Sequence, residues 1–251
     1  MKRTITILIL CSFIAVAAVA QGGPLRVPQG AALPTVDQIL EKYVQTLGGK
    51  AALEKITSTA SKGTFEIPAF GATGSAELWE KAPNKTALKL DIPGFGLVLE
   101  GFNGAVAWSQ DPQSGLREKT GAELAATKLD ADFYKPLRLK QLYPKIAVKG
   151  KEKVGDKDMY VLTATPAEGS PETWYFDAAT GLLARMDLER ESPQGKMAVQ
   201  VFLEDYKEVD GIKIPHTVRQ VTSAFTIIIK LEEVKHNVAV DETKFNKPVA
   251  Q

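Results

Sequence analysis

The spacing of the apolar residues changes once along this chain, and that change most constrains the fold. Between Thr35 and Leu47 apolar side chains recur at helical spacing, whereas from Thr57 onward they alternate with polar ones. Such alternation predicts β-strands with one buried face. Short segments rich in Gly, Pro, Asn and Asp separate the strands, so consecutive strands are expected to pair antiparallel. The chain is therefore predicted to be mainly β, with no βαβ alternation of a parallel sheet.

The alternating segments number about twelve. They cover residues 58–67, 74–81, 86–92, 96–102, 104–109, 145–153, 157–165, 172–176, 182–191, 196–206, 212–221 and 225–235. Residues 120–143 interrupt them and predict two short helices or one broken helix, because Pro136 cannot lie inside a regular helix. An earlier helix is expected to begin at a capping box formed by Thr35 and Gln38.

Residues 1–20 predict a cleavable signal peptide. Two basic residues follow the first Met, an uncharged apolar stretch comes next, and Ala18-Val19-Ala20 matches the small-x-small pattern of a cleavage site. The apolar stretch is shorter than the roughly 20 residues of a membrane-spanning helix. Residues 21–34 are interpreted as a flexible leader, and residues 35–251 as a single domain.

The charge balance excludes partners that are bound mainly by electrostatic attraction. Without Lys2 and Arg3 the chain has 29 basic and 30 acidic residues, a formal net charge of −1, and no polybasic stretch. No nucleic-acid partner is therefore expected. Cys11, the only cysteine, falls in the predicted signal peptide, so the mature chain is expected to have no disulfide. No transmembrane segment is expected in the mature chain.

Chemistry-bearing residues do not form a recognisable motif. His216 and His236 share no zinc-ligand pattern, and both are interpreted as structural or surface residues. The chain has no Gly-x-Ser-x-Gly elbow, no phosphate-binding glycine loop and no dinucleotide fingerprint. The prediction is therefore a protein without enzymatic activity, metal site or cofactor.

Strand alternation also predicts which residues face inward. In segment 86–92 the residues Leu88, Leu90 and Ile92 share one face, and the charged residues between them lie on the other. The same reasoning on other strands, with the apolar residues of the helical segments, gives a predicted ligand-cavity lining of Leu40, Phe65, Ile67, Leu78, Leu88, Leu90, Ile92, Leu97, Leu99 and Phe133.

Several strands, such as Trp174-Tyr175-Phe176, are apolar on both faces. An antiparallel sheet with one wet face should alternate cleanly, so both faces need cover in places. Two explanations remain open. Either the helices cover a large solid core, or a curved sheet encloses an apolar cavity for a ligand on its concave face.

A series of short segments then resembles a known family. It consists of Thr46-Leu47-Gly48-Gly49-Lys50, Gly101-Phe102-Asn103-Gly104, Glu172-Thr173-Trp174-Tyr175-Phe176-Asp177, Thr180-Gly181, Asp210-Gly211-Ile212-Lys213-Ile214-Pro215 and Phe245-Asn246-Lys247-Pro248. Their order resembles the periplasmic outer-membrane lipoprotein-sorting (LolA/LolB-like) superfamily over residues 35–248. The resemblance implies a strongly curved, unclosed antiparallel β-barrel of about 11–12 strands, with helices over the concave face and an apolar cavity between them. In the family's carriers that cavity holds lipoprotein acyl chains; no motif match places their lid arginine in this chain.

Together these features predict a periplasmic or secreted, non-enzymatic carrier or binder of a lipid, a lipoprotein acyl chain or another lipophilic ligand. The alternative is an envelope sensor or interaction module that uses the same fold to bind an envelope protein. The expected partners are thus a lipophilic ligand and, under the second hypothesis, an envelope protein.

Overall fold

A computed structural model describes residues 32–192 and 195–248, and the strands of this part form one antiparallel sheet. Its thirteen strands are β1 (Ser58–Ile67), β2 (Ala72–Lys81), β3 (Lys85–Ile92), β4 (Gly96–Phe102), β5 (Ala107–Asp111), β6 (Gly115–Glu118), β7 (Lys145–Val154), β8 (Lys157–Thr165), β9 (Glu172–Asp177), β10 (Leu183–Ser192), β11 (Gly195–Val209), β12 (Ile212–Val221) and β13 (Thr226–His236). The spatial order is β6-β5-β4-β3-β2-β1-β13-β12-β11-β10-β9-β8-β7. The sheet curls without closing, which confirms the predicted mainly β, unclosed barrel.

Four helices accompany the sheet: α1 (Val36–Leu47), α2 (Lys50–Leu53), α3 (Gly121–Asp130) and α4 (Lys135–Leu142). The predicted capping box is present, since the backbone N–H of Thr35 donates to Gln38 Oε1 at 2.8 Å and that of Gln38 donates to Thr35 Oγ1 at 3.2 Å. Pro136 lies in the first turn of α4, where a helix needs no N–H from it. In the part of the chain that the structure describes, no helix has the length and apolarity to cross a membrane.

The sequence reading differs from the structure at the β4–β5 connection and just after it. The predicted segments 96–102 and 104–109 leave a single residue between them, but residues 103–106 form a longer loop in which Asn103 Oδ1 accepts from the backbone N–H groups of Ala105 and Val106. Strand β5 therefore starts at Ala107 rather than at residue 104. The thirteenth strand, β6, was missed because its four residues include one apolar side chain, Leu116.

Helices α1, α3 and α4 pack on one face of the sheet, which we call the inner face; the other is the outer face. The largest buried cluster joins α1 and α4 to β8 and β9 on the inner face. The rings of Tyr43 and Phe176 meet edge to face there, with centroids 5.3 Å apart. The fully buried members of this cluster with the largest side chains are Trp174, Tyr143, Phe176 and Leu162.

The outer face is also covered, in two ways. Over β3 and β4 lies the short 3₁₀ turn Glu242–Phe245, held by a 2.9 Å hydrogen bond from Trp108 Nε1 to the Phe245 carbonyl. Gly101 pairs with Trp108, and a Cβ at this glycine would lie 2.5 Å from the indole, so only glycine lets the ring lie flat here. Over the other half, cation–π contacts link β9 to β12: Arg185 to Tyr175 and Phe202, and Arg219 to Phe202.

Residues 1–20, the predicted signal peptide, lie outside the described residues, as do residues 21–31 of the leader. The boundaries of these segments and of the domain at 35–251 stay predictions.

Candidate functional site

A cavity of about 360 Å³ lies between the inner face and the helices. Volumes of this size are typical of small-molecule binding sites. Its walls combine α1, α2, the end of α3, the start of α4 with the connection between them, and five strands, β1, β2, β11, β12 and β13. Its apolar lining includes Leu47, Leu53, Ile56, Leu78, Phe133, Pro136, Leu137, Leu203, Ile212, Ile214, Pro215, Val218 and Leu231. We call it the apolar cavity.

Polar groups interrupt this lining along two neighbouring strands. Thr59 and Ser61 on β1 and Glu80 on β2 share the inner face, because Thr59 pairs with Glu80 across the strands and alternation puts Ser61 on the same side. Their side chains have no hydrogen-bond or ion-pair partner among the described residues, and neither does the hydroxyl of Tyr43. Burial raises the pKa of Tyr43 and of Glu80. The apolar cavity therefore contains polar groups that the described residues leave without a partner.

The other two carboxylates of the lining are neutralised. Asp130 is 2.8 Å from the Lys135 ammonium and 2.7 Å from the Arg190 guanidinium. Burial acts to raise the pKa of Asp130, but these two cations outweigh it and leave the pKa below its usual value. Asp132 pairs with Arg138 at 2.7 Å. Glu80 thus differs from both in having no cation beside it.

His236 also lines the apolar cavity, and its side chain is only 3% exposed. It pairs with Thr59 on the side opposite to Glu80, so the three residues form a row across β13, β1 and β2. Its Nδ1 lies 3.2 Å from an Asp210 carboxylate oxygen. The imidazole faces the interior, and its assignment as a structural or surface residue stays a prediction.

A second cavity, of about 490 Å³, adjoins the first and shares Leu78 and Asp130 with it. Charged residues from β4, β6, α3 and β10 line this charged cavity. Three ion pairs lie in this lining: Lys119 with Glu100 at 2.6 Å, Arg117 with Glu123 at 2.7 Å, and Arg190 with Asp130 at 2.7 Å. Hydrogen bonding to Arg117 holds the pKa of Glu123 below its usual value. The interior therefore has an apolar part and a charged part side by side.

The structure distributes the predicted lining residues among different environments. Leu78 and Phe133 line the apolar cavity, and Leu88 lines the charged one. Leu40 is buried in the main core, while Phe65 and Leu90 form a separate packed cluster, against which Ile67, Leu88 and Ile92 pack. A role in ligand binding stays a prediction for all of them.

The prediction that Leu97 and Leu99 face inward and line the cavity is wrong. Leu97 pairs with Asp91 and Leu99 with Lys89, so both leucines lie on the outer face, and Leu97 is 43% exposed. Their inward assignment assumed that Glu100 must face solvent. Glu100 instead points inward, because Lys119 gives it a partner there.

Sequence reasoning missed the residues that come from distant parts of the chain, such as Tyr43, Val218 and Glu80. For Glu80 the alternation that placed Leu78 inward also placed it inward, two residues further along β2, and that was the available signal. Among residues 32–192 and 195–248, no group of three or more His, Cys, Asp or Glu side chains is placed to hold a metal ion.

No family model matches this sequence, and no curated protein matches it. Solved structures do share its fold. A DUF1329 family protein from Desulfovibrio piger aligns over 84% of this chain and 97% of its own, with a TM-score of 0.59 and 16% identity. A LolA superfamily protein from Nitrosomonas europaea aligns over 86% and 99%, with a TM-score of 0.56 and 14% identity. An outer membrane lipoprotein-sorting protein domain from Vibrio parahaemolyticus aligns over 83% and 96%, with a TM-score of 0.54 and 15% identity. The chain therefore has the LolA-like fold.

Proposed function

We propose that this protein is a non-enzymatic carrier of the bacterial cell envelope that holds the apolar part of a lipid or other amphiphile in its apolar cavity. One observation carries the proposal. The inner face and the helices leave about 360 Å³ unfilled at a place lined mainly by aliphatic and aromatic side chains. Protein interiors are normally packed to crystal-like density, so a space of this size next to a packed core favours an occupant.

Two further features support the same proposal. The solved structures with this fold include a LolA superfamily protein and an outer membrane lipoprotein-sorting protein domain. The sequence of residues 1–20 predicts export, which would place the protein where lipids and lipoproteins cross the envelope.

Filling the apolar cavity tests the proposal. Leu78→Trp adds bulk to the wall that both cavities share. It is expected to weaken binding of a neutral fluorescent dye, N-phenyl-naphthylamine, at least tenfold, with a stability loss below the roughly 1–3 kcal/mol of an overpacked solid core. Dye titration followed by emission, with a thermal melt of each variant, gives both quantities.

Leu97→Trp is the matched control, because it makes the same change at an exposed position on the outer face. It should leave both dye affinity and melting temperature unchanged. A parent protein that binds no dye, or a Leu78→Trp variant that binds as the parent does, would contradict the carrier proposal and favour an interaction module.

A further inference from the structure

Glu80 places a carboxylate in the apolar cavity, and a ligand held only by the aliphatic walls would not need one. It lies on the inner face of β2, lines the cavity and has no ion-pair or hydrogen-bond partner among the described residues. Glu80 is half-buried, so its carboxylate has lost part of its hydration without gaining a partner of opposite charge. Burial raises its pKa, and no described cation lies within ion-pair distance of its carboxylate.

None of the basic side chains that line the apolar cavity forms an ion pair with Glu80. Lys135 pairs with Asp130, and His236 lies beside Asp210. Lys213 forms no ion pair with any described residue. No described cation therefore pairs with Glu80, and an ammonium group brought by a ligand would give it a partner.

The surroundings of Glu80 suit an ammonium group. Thr59 lies directly across from Glu80, and its hydroxyl and those of Ser61 and Tyr43 have no partner within the described chain. An ammonium has three N–H donors, so it can donate to the carboxylate and to hydroxyl oxygens at once. A fatty carboxylate would instead bring a second negative charge to an unpaired one.

From this geometry we infer that the cavity selects amphiphiles with a primary ammonium head group, which Glu80 binds while the aliphatic walls hold the chain. This specificity rests on the proposed carrier function and adds the chemical class of the ligand to it.

Three ligands of equal chain length test the inference: dodecylamine, dodecanol and dodecanoate, each measured below its micellar concentration by displacement of the neutral dye. The parent protein should bind the amine about 10-fold to 100-fold more tightly than the alcohol, as expected for charge-assisted hydrogen bonds. It should bind the carboxylate most weakly.

Glu80→Gln should bring the amine down to the affinity of the alcohol and leave the alcohol itself within about threefold of the parent. Glu80→Met, of similar length and apolar, should do the same, which guards against a folding defect in either variant. Glu77→Gln is the control, because Glu77 lies on the same strand but on the outer face, paired with Lys89 at 3.1 Å. It should leave the ligand order unchanged.

The outcomes separate the two proposals. If the parent binds none of the three ligands, the carrier function fails and the inference with it. If the alcohol binds but the amine binds no more tightly, or if Glu80→Gln keeps the preference, the inference alone is overturned. Tighter binding of the carboxylate than of the alcohol would also overturn it, because Glu80 would then act as a neutral acid that donates to the ligand.

Discussion

The buried carboxylate of Glu172 offers a sharp test of the packing between α4 and the inner face. Its Oε2 accepts a hydrogen bond from the Tyr143 hydroxyl at 3.0 Å and another from Trp174 Nε1 at 2.8 Å. The residue is only 3% exposed, and both donors are buried as well. The two rings meet edge to face with centroids 4.6 Å apart, so one acceptor oxygen fixes an aromatic pair in the main core.

Glu172→Ala would leave two buried donors without an acceptor. Each such donor costs about 1–3 kcal/mol, which gives a loss of about 2–6 kcal/mol in the free energy of unfolding. Since domains of this size have about 5–15 kcal/mol in total, the variant should be markedly less stable. The melting temperature should fall by roughly 4–24 °C, at about 2–4 °C per kcal/mol.

Glu172→Gln separates the hydrogen bonds from the charge. Its amide oxygen can replace Oε2 and accept from both donors, while its NH₂ group replaces Oε1, which lies 3.9 Å from the Arg190 guanidinium. Loss of the charge should cost about 1–2 kcal/mol, less than Glu172→Ala. Urea and thermal unfolding of the two variants measure this order.

A double-mutant cycle with Tyr143→Phe completes the test. Because Tyr143→Phe removes one of the two donors, the loss of unfolding free energy caused by Glu172→Ala should be smaller in that background than in the parent. The difference should be at least about 1 kcal/mol. Glu168→Ala, at an exposed position, is the control and should change stability by less than about 0.5 kcal/mol. The reasoning is refuted if Glu172→Ala costs no more than this control, or if the cycle shows no coupling.

Two further predictions concern Glu80 and export. Burial raises the pKa of Glu80 above its ordinary value of 4.5, so the folded chain holds this proton more tightly than the unfolded chain, and ionisation destabilises the fold as pH rises above 4.5. Glu80→Gln should therefore raise the melting temperature at about pH 8 and leave it unchanged at about pH 3. The other charged or titratable groups that line the cavity are the same in the parent and the variant, so their contribution cancels: they are His236, Asp130, Asp132, Lys135 and Lys213. An equal shift at both pH values would contradict this prediction. The exported protein should begin at Gln21, and an intact mass that includes residues 1–20 would disprove the predicted cleavage.

The strands and helices could be predicted because each rests on a local pattern. The capping box at Thr35 lies within four residues, and the alternation in β3 within eight. Face assignment succeeded wherever the charged residue that decided it does face outward, as Lys89 does. It failed in β4, because Glu100 has an inward partner, Lys119, nineteen residues further along the chain. A single strand contains no signal for such a contact.

The site was harder to predict because its walls come from segments that are distant in sequence. Alternation places Leu78 and Leu90 on the same face of neighbouring strands, but it cannot say which of them borders an unfilled space. The structure packs Leu90 into a cluster and leaves Leu78 at the cavity. Irregular pairing adds to the difficulty, since the register of β1 against β13 shifts between Lys62 and Gly63, next to the residues that line the cavity.

The apolar strand positions that suggested a cavity in the sequence have a different explanation. In β8, Met159 and Val161 are buried by 96% or more on the outer face, where Val161 pairs with Tyr175, whose ring contacts Arg185. Apolar residues on both faces of these strands are therefore buried because other side chains pack against both faces of the sheet, and they do not indicate an unfilled interior. The apolar cavity lies instead where polar residues stand at inward positions, at Thr59, Ser61 and Glu80. Because packed cores exclude unmatched polar groups, polar residues at inward positions among apolar ones are the better sequence sign of a space that a ligand or water fills.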